Sequence, residues 1–258
     1  MKATKDPTKR FSKTVDNYVR YRPGYPVAIL SFMREELGLE STSCIGDIGS
    51  GTGQLSKLFL QNGNRVFAVE PNDAMRLAGE AILKNYPGFH SIKGTAEQTG
   101  LASASLDFLV AAQAFHWFDI PESRKEFLRI LKPGAWVLLI WNKRVDEASG
   151  FMQAYEDFIN TYSTDLKKVN LRFINHDDFR TFFGHSQYQL KNFYDNVQIF
   201  DWKGLKGRYL SCSYALDKAH EQYNEAMEKL ELIYDKNQVN GQVKMIYRTE
   251  VYYGRLKS

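Results

Sequence analysis

The chain has 258 residues, 43% hydrophobic and 25% charged, with a formal net charge of +4; this allows one sizeable core and excludes a strongly basic nucleic-acid binder. The basic residues that do crowd together, Lys2, Lys5, Lys9, Arg10, Lys13, Arg20 and Arg22, read as a solvated terminus. Two cysteines, Cys44 and Cys212, make no disulfide framework, and the longest apolar run, "AWVLLIW" (135–141), is far too short to cross a bilayer, so we expect a cytoplasmic protein without membrane or nucleic-acid partners.

In chain order, "PVAILSFMREELG" (26–38) places Ile29, Leu30, Met33 and Leu37 on one helical face. "CIGDIG" (44–49) has the pattern of a short buried strand, and "GQLSKLFLQNG" (53–63) that of a helix stopped by Gly63. "NRVFAVEPN" (64–72) is a second strand, and "DAMRLAGEAILKN" (73–85) a helix with Asp73 as its expected cap. "FHSIKGT" (89–95) and "LDFLVAAQ" (106–113) are strands three and four. "PESRKEFLRILKPG" (121–134) is a helix ended by Pro133 and Gly134, and "AWVLLIWN" (135–142) the fifth strand. Strands alternating with helices over short connections predict a parallel sheet covered on both faces.

The rhythm then breaks. Residues 145–195 are polar and aromatic at once, with Phe151, Tyr155, Phe158, Tyr162, Phe173, Phe179, Phe182 and Phe183, and are expected to form a mostly helical cap, over the strand tips or around its own aromatic core. "NVQIFDW" (196–202) is a sixth strand. "GRYLSCSYAL" (207–216) either lines the acceptor side or joins the last two strands. "EQYNEAMEKLELIYD" (221–235) is a helix. "VKMIYRTEVYYG" (243–254) alternates two faces, as an antiparallel strand does when half exposed or near an edge.

The turn "DIGSGTGQL" (47–55) follows the first strand, where an open parallel sheet binds its ligand. The dinucleotide fingerprint would need its last glycine at position 54, which holds Gln54, and a P-loop would need a lysine that the turn lacks. Glu70 ends the second strand, where a carboxylate can accept hydrogen bonds from both hydroxyls of a ribose. The ligand expected is a nucleoside with no pyrophosphate against the turn.

Together "DIGSGTG", "VEPN", "GTAEQTGL", "DFLVAAQAFHWFD" and "LKPGAWVLLIWN" resemble the class I S-adenosylmethionine-dependent methyltransferases, and most nearly the methyltransferase type 11 group with its ubiquinone-biosynthesis and trans-aconitate types of enzyme. The resemblance covers residues 15–145. It implies a Rossmann-like α/β fold: a seven-stranded, mostly parallel sheet whose last strand is antiparallel. It also implies S-adenosyl-L-methionine along the strand tips and no metal. Carried over by position, Asp47, Gly49 and Gly51 lie under the methionine part, and Glu70 holds the ribose. Pro71, Asn72 and Met75 stand beside the adenine, Ala96 and Glu97 meet its edge, and Gln113 and Ala114 offer backbone to the methionine end. "YVRYRPGYP" (18–26) resembles the N-terminal lid segment of this group (residues 1–25 here), so Tyr18 and Arg22 are expected to close over the cofactor, Arg22 as a clamp on its carboxylate or else in a surface ion pair.

One domain of 258 residues, monomeric or homodimeric, would then move a methyl group to a small-molecule acceptor, a carboxylate or hydroxyl oxygen. His116, in "QAFHWFD", is the histidine expected at the site rim, as general base or as a packing residue; Trp117 and Phe118 are pocket wall or core. Two alternatives stand beside this. One is a cofactor-binding protein without transferase activity. The other is an NAD(P)-dependent reductase, for which Tyr214 and Lys218 have the Y-x-x-x-K spacing but Asp201 stands where a serine would be expected. The tetrad of base-amino methyltransferases after strand four is absent, "AQAF" holding its place.

Overall fold

The computed structural model describes residues 15–164, 176–184 and 188–257. Residues 1–14, most of the expected lid segment with Lys2, Lys5, Lys9, Arg10 and Lys13, lie outside the described residues, as does Phe173.

Helices α1 (Val15–Tyr21) and α2 (Ala28–Leu37) precede β1 (Cys44–Ile48), α3 (Gln54–Gln61), β2 (Arg65–Val69), α4 (Asp73–Leu83) and β3 (Phe89–Ile92). Then come β4 (Leu106–Ala112), a 3-10 turn (Phe115–Trp117), α5 (Ile120–Ile130) and β5 (Leu131–Arg144). The last part comprises α6 (Gly150–Thr161), α7 (His176–Phe183), β6 (Tyr188–Phe200), α8 (Trp202–Leu210), α9 (Tyr223–Asn237) and β7 (Val243–Gly254). The seven strands form one sheet in the order β3-β2-β1-β4-β5-β7-β6. β1 to β5 pair in parallel, and β7 runs antiparallel between β5 and β6.

The near-continuous apolar runs of β4 and β5 are explained by burial on both faces. Val110, Leu138 and Ile140 meet Ile29, Phe32 and Met33 of α2 and Phe59 of α3. Their neighbours Leu109, Leu139 and Trp141 point the other way, against Phe127 and Ile130 of α5 and Phe179, Phe182 and Phe183 of α7. Each such large apolar side chain contributes about 1.5–3 kcal/mol of burial.

Three expectations are corrected and one is narrowed. The cap of α4 is Asn72, whose side chain accepts from the Met75 amide, and Asp73 stands in the first turn. β7 lies one strand in from the edge, as the near-edge alternative had it, but is mostly buried rather than half exposed: Glu250 is 4% exposed, held by Lys143 and Arg248. β6 begins at Tyr188, so residues 188–195 belong to the sheet and not to a cap, and Trp202 opens α8 instead of ending the strand.

The aromatic segment also divides. The α7 phenylalanines join the α5 face of the sheet, Phe115 stacking on Phe179 at 6.0 Å. The α6 aromatics, Phe151, Tyr155 and Phe158, form a separate core with Leu205 and Tyr209 of α8 and Met227, Leu230 and Tyr234 of α9. The cap is therefore α6, α8 and α9. It connects to the sheet where β5 and β6 end and β7 begins, the same end at which the glycine turn leaves β1.

Candidate functional site

The turn after β1 is shaped by glycines that an L side chain would not replace. Gly49, Gly51 and Gly53 all have positive φ, at 70°, 58° and 79°. A Cβ on Gly49 would lie 2.6 Å from the Ala114 Cβ. The amides of the turn are already engaged. Gly49 and Ser50 donate to the Val69 carbonyl at 2.8 and 3.1 Å, and Gly51 donates to Glu70 Oε2 at 2.8 Å. A turn whose amides are spent in this way has little left with which to cradle a pyrophosphate, in keeping with Gln54 where the dinucleotide fingerprint has its last glycine.

Glu70 is 7% exposed, and its other oxygen accepts from the Asn72 amide at 2.8 Å. Burial raises its carboxyl above the ordinary range, and the two backbone amides partly offset this. Each oxygen keeps a lone pair for a further donor. Gln113 ends β4 with φ +55°, an uncommon left-handed conformation for a residue with a side chain. The Ile140 carbonyl, to which its amide donates at 2.9 Å, and Asn142, whose carbonyl its side chain reaches at 3.2 Å, hold it there.

These elements enclose a cavity of about 280 Å³. It brings together ten of the expected cofactor residues: Tyr18, Gly49, Gly51, Glu70, Pro71, Met75, Ala96, Glu97, Gln113 and Ala114. Thr95, Ala112, Trp117 and Phe118 complete the wall; Thr95 lay unremarked beside Ala96 in the "GTAEQ" run.

A methyltransferase domain family matches residues 46–139, the stretch from β1 to β5 that builds this wall. The match agrees with the resemblance to the class I S-adenosylmethionine-dependent methyltransferases over that stretch. It is 30% identical over 158 residues to an uncharacterized methyltransferase-like protein of Schizosaccharomyces pombe, covering 61% of this chain and 60% of that one. It is 32% identical over 155 residues to an uncharacterized methyltransferase of Mycobacterium tuberculosis, covering 60% of each. The matched region thus spans about 60% of the length of these relatives. A solved structure, a candidate type II methyltransferase from Anaeromyxobacter dehalogenans, shares the fold with a TM-score of 0.62 at 18% identity, covering 92% of this chain and 100% of that one.

Three expected cofactor residues stand off the cavity wall. Asp47 is 1% exposed and lies behind the turn, where it accepts from Ser56 Oγ at 2.6 Å. Burial lifts its carboxyl from 3.8 to about 7, against the hydrogen bonds from Ser56. Asn72 is committed to its cap. Arg22 donates to the Ser211 carbonyl at 3.1 Å and lies over the Tyr18 ring at 5.1 Å, so the expected clamp faces the cap instead of the cavity. Glu97 lines the cavity while also accepting from the Asp119 amide at 2.9 Å. His116 sits in the 3-10 turn between lining residues, its ring 5.0 Å from that of Trp117, and does not itself line the cavity. Tyr214 is buried and Lys218 exposed, in a segment of turns and loop, so the reductase-like pair does not share a helix face.

No helix among the described residues is long and apolar enough to cross a membrane. No group of three or more potential metal ligands occurs among them either.

Glu70→Ala should weaken S-adenosylhomocysteine binding by about 1–3 kcal/mol, because it removes the acceptor for the sugar and unpairs the Gly51 and Asn72 amides. Calorimetric titration checks this; unchanged affinity would mean that the ribose lies elsewhere.

Proposed function

We propose that the chain transfers a methyl group from S-adenosyl-L-methionine to an oxygen, carboxylate or hydroxyl, of a small organic acceptor in the cytoplasm. The observation that carries this reading is the cavity in which a pre-formed glycine turn, a buried Glu70 and the constrained Gln113 backbone converge. The lining fits the cofactor: bare glycine backbone for close approach, an acid for the ribose, and the apolar edges of Pro71, Met75 and Ala96 for a base. When bound, the cofactor supplies an activated methyl group on a positively charged sulfur.

The protein's own work is then positioning and exclusion of water. Gly49 and Gly51 let the ligand lie against the main chain, Glu70 fixes the sugar, and Gln113 and Ala114 face the amino-acid end. Trp117 and Phe118 wall the reacting end. Asp47 and Asn72 act from behind, holding the turn to α3 and the start of α4. His116, one residue from the wall, is assigned to accept the proton of a hydroxyl acceptor. The mild net charge and the aromatic cap support a small molecule over a polymer.

Methyl-labelled cofactor incubated with a panel of hydroxy acids should give labelled product and release S-adenosylhomocysteine. Tight binding without label transfer to any acceptor would support the non-catalytic reading instead. His116→Ala should keep S-adenosylhomocysteine affinity while turnover falls by about 10²-fold or more. Full turnover in that variant would leave the ring a packing role against Trp117.

A further inference from the structure

The cap core holds a charge imbalance that the cofactor cavity does not use. Arg208 of α8 is 3% exposed. Its Nε donates to Tyr247 Oη at 3.1 Å, and its Nη1 to Cys212 Sγ at 2.9 Å and Ser211 Oγ at 3.5 Å. Arg22 offers one bond to the Ser211 carbonyl, and its buried Nε has no hydrogen-bond partner. Among the described residues neither guanidinium pairs with a carboxylate. Arg144, the third arginine of the cluster, does so normally, meeting Glu156 at 2.6 Å.

A buried guanidinium without a counter-charge is costly, and natural cores rarely leave one so. Tyr155, fully buried beside the same arginines, adds a hydroxyl with no hydrogen-bond partner. The positive charge of the cluster also acts on a thiol within it. Burial alone would raise the Cys212 thiol, yet Arg208 first, then Arg22, a hydrogen bond from Tyr214 and Arg144 bring it down to about 7. Tyr18 joins the cluster to the cavity, for its ring lines the cavity wall and also carries the Arg22 guanidinium.

We propose that this cluster is an anion subsite for the carboxylate of the methyl acceptor, with Arg208 and Tyr155 as its ligands and Arg22 as a second positive charge. The proposal rests on the methyl-transfer reading above. A guanidinium fork matches a planar carboxylate. A carboxylate held in this way is neutralised, which makes it a handle; the methyl group goes to a different atom of the same molecule.

The test is calorimetric titration of the whole chain, saturated with S-adenosylhomocysteine, with benzoate, its neutral isostere benzamide, and phenyl phosphate. Benzoate should bind at least about tenfold more tightly than benzamide and more tightly than phenyl phosphate. Arg208→Gln should remove that preference, and Tyr155→Phe should weaken benzoate by about three- to tenfold. Both should leave S-adenosylhomocysteine affinity unchanged. Tyr155→Phe deletes only an unpartnered hydroxyl, so it keeps the test open should Arg208→Gln not fold. Equal binding of benzoate and benzamide, or full benzoate affinity in folded variants, overturns the subsite. Preference for phenyl phosphate overturns its assignment to a carboxylate. Failure of the unsubstituted chain to bind S-adenosylhomocysteine strikes the methyl-transfer reading instead.

Discussion

Gly49→Ala is expected to cost the protein its cofactor, with S-adenosylhomocysteine affinity falling by about 100-fold or more, near 3 kcal/mol. Two effects add. At φ +70° an alanine carries about 1–2 kcal/mol of backbone strain. Its Cβ would also sit 2.6 Å from the Ala114 Cβ, far inside the contact distance, and Ala114 is a stub on the wall that cannot swing aside. Relief requires the turn to draw away from the tip of β4, at the place where both residues line the cavity. Gly51→Ala is the control. There the new Cβ would meet only the flexible end of Met75, at 3.5 Å, so the strain term stands alone. Thermal unfolding and calorimetric binding of both variants check this, and near-native affinity in Gly49→Ala would refute the packing argument.

Asp47→Asn should flatten the dependence of stability on pH in the ligand-free protein. Burial holds the Asp47 carboxyl at about 7, above its ordinary 3.8, and Ser56 recovers only part of that cost. Because the folded value is the higher one, the native state binds more protons than the unfolded chain between these limits. The Asp47 contribution to stability is therefore greatest below about pH 4, falls as pH rises toward 7, and levels off above it. The full difference corresponds to an upper bound of about 4 kcal/mol. Asparagine takes up no proton in this range, so the variant should lack this slope and should be the more stable of the two near pH 8 relative to pH 4.5. Urea denaturation at pH 4.5, 6 and 7.5 measures it. A shallower slope remains from Glu70, also raised by burial. Parallel profiles for the two proteins would show that Asp47 stays ionised in the fold.

The first half of the molecule was legible in the sequence because its signals are local. A glycine turn, an acid at a strand end and an apolar run each declare themselves within a few residues; the five parallel strands, the turn and Glu70 followed from them, and the other expected cavity residues came from the family resemblance. Arg22, Asp47 and Asn72 stand off the cavity wall for a shared reason: position along the chain tells which loop a side chain leaves, not which neighbour claims it. Ser211, which takes the Arg22 guanidinium, lies 189 residues away. The aromatic stretch was misjudged because a phenylalanine pattern signals burial without naming the partner; Phe182 and Phe158 look alike in sequence yet serve different cores. The extent of β6 was missed because Tyr188–Phe193 is an edge segment with mostly polar, exposed residues, where strand pairing, not hydrophobic patterning, makes the strand.

The place of β7 between β5 and β6 sets an order of assembly. β6 shares no ladder with β5; its backbone pairing is made wholly with a strand that follows it by some forty residues. The intervening α8 and α9 must wait on that insertion, so the cap and the closing of the sheet form in one late, non-local step, while β1 to β5 can zip along the chain beforehand. A protein caught before this step would own a finished glycine turn and no roof, and folding kinetics followed by a probe in each half should separate the two events.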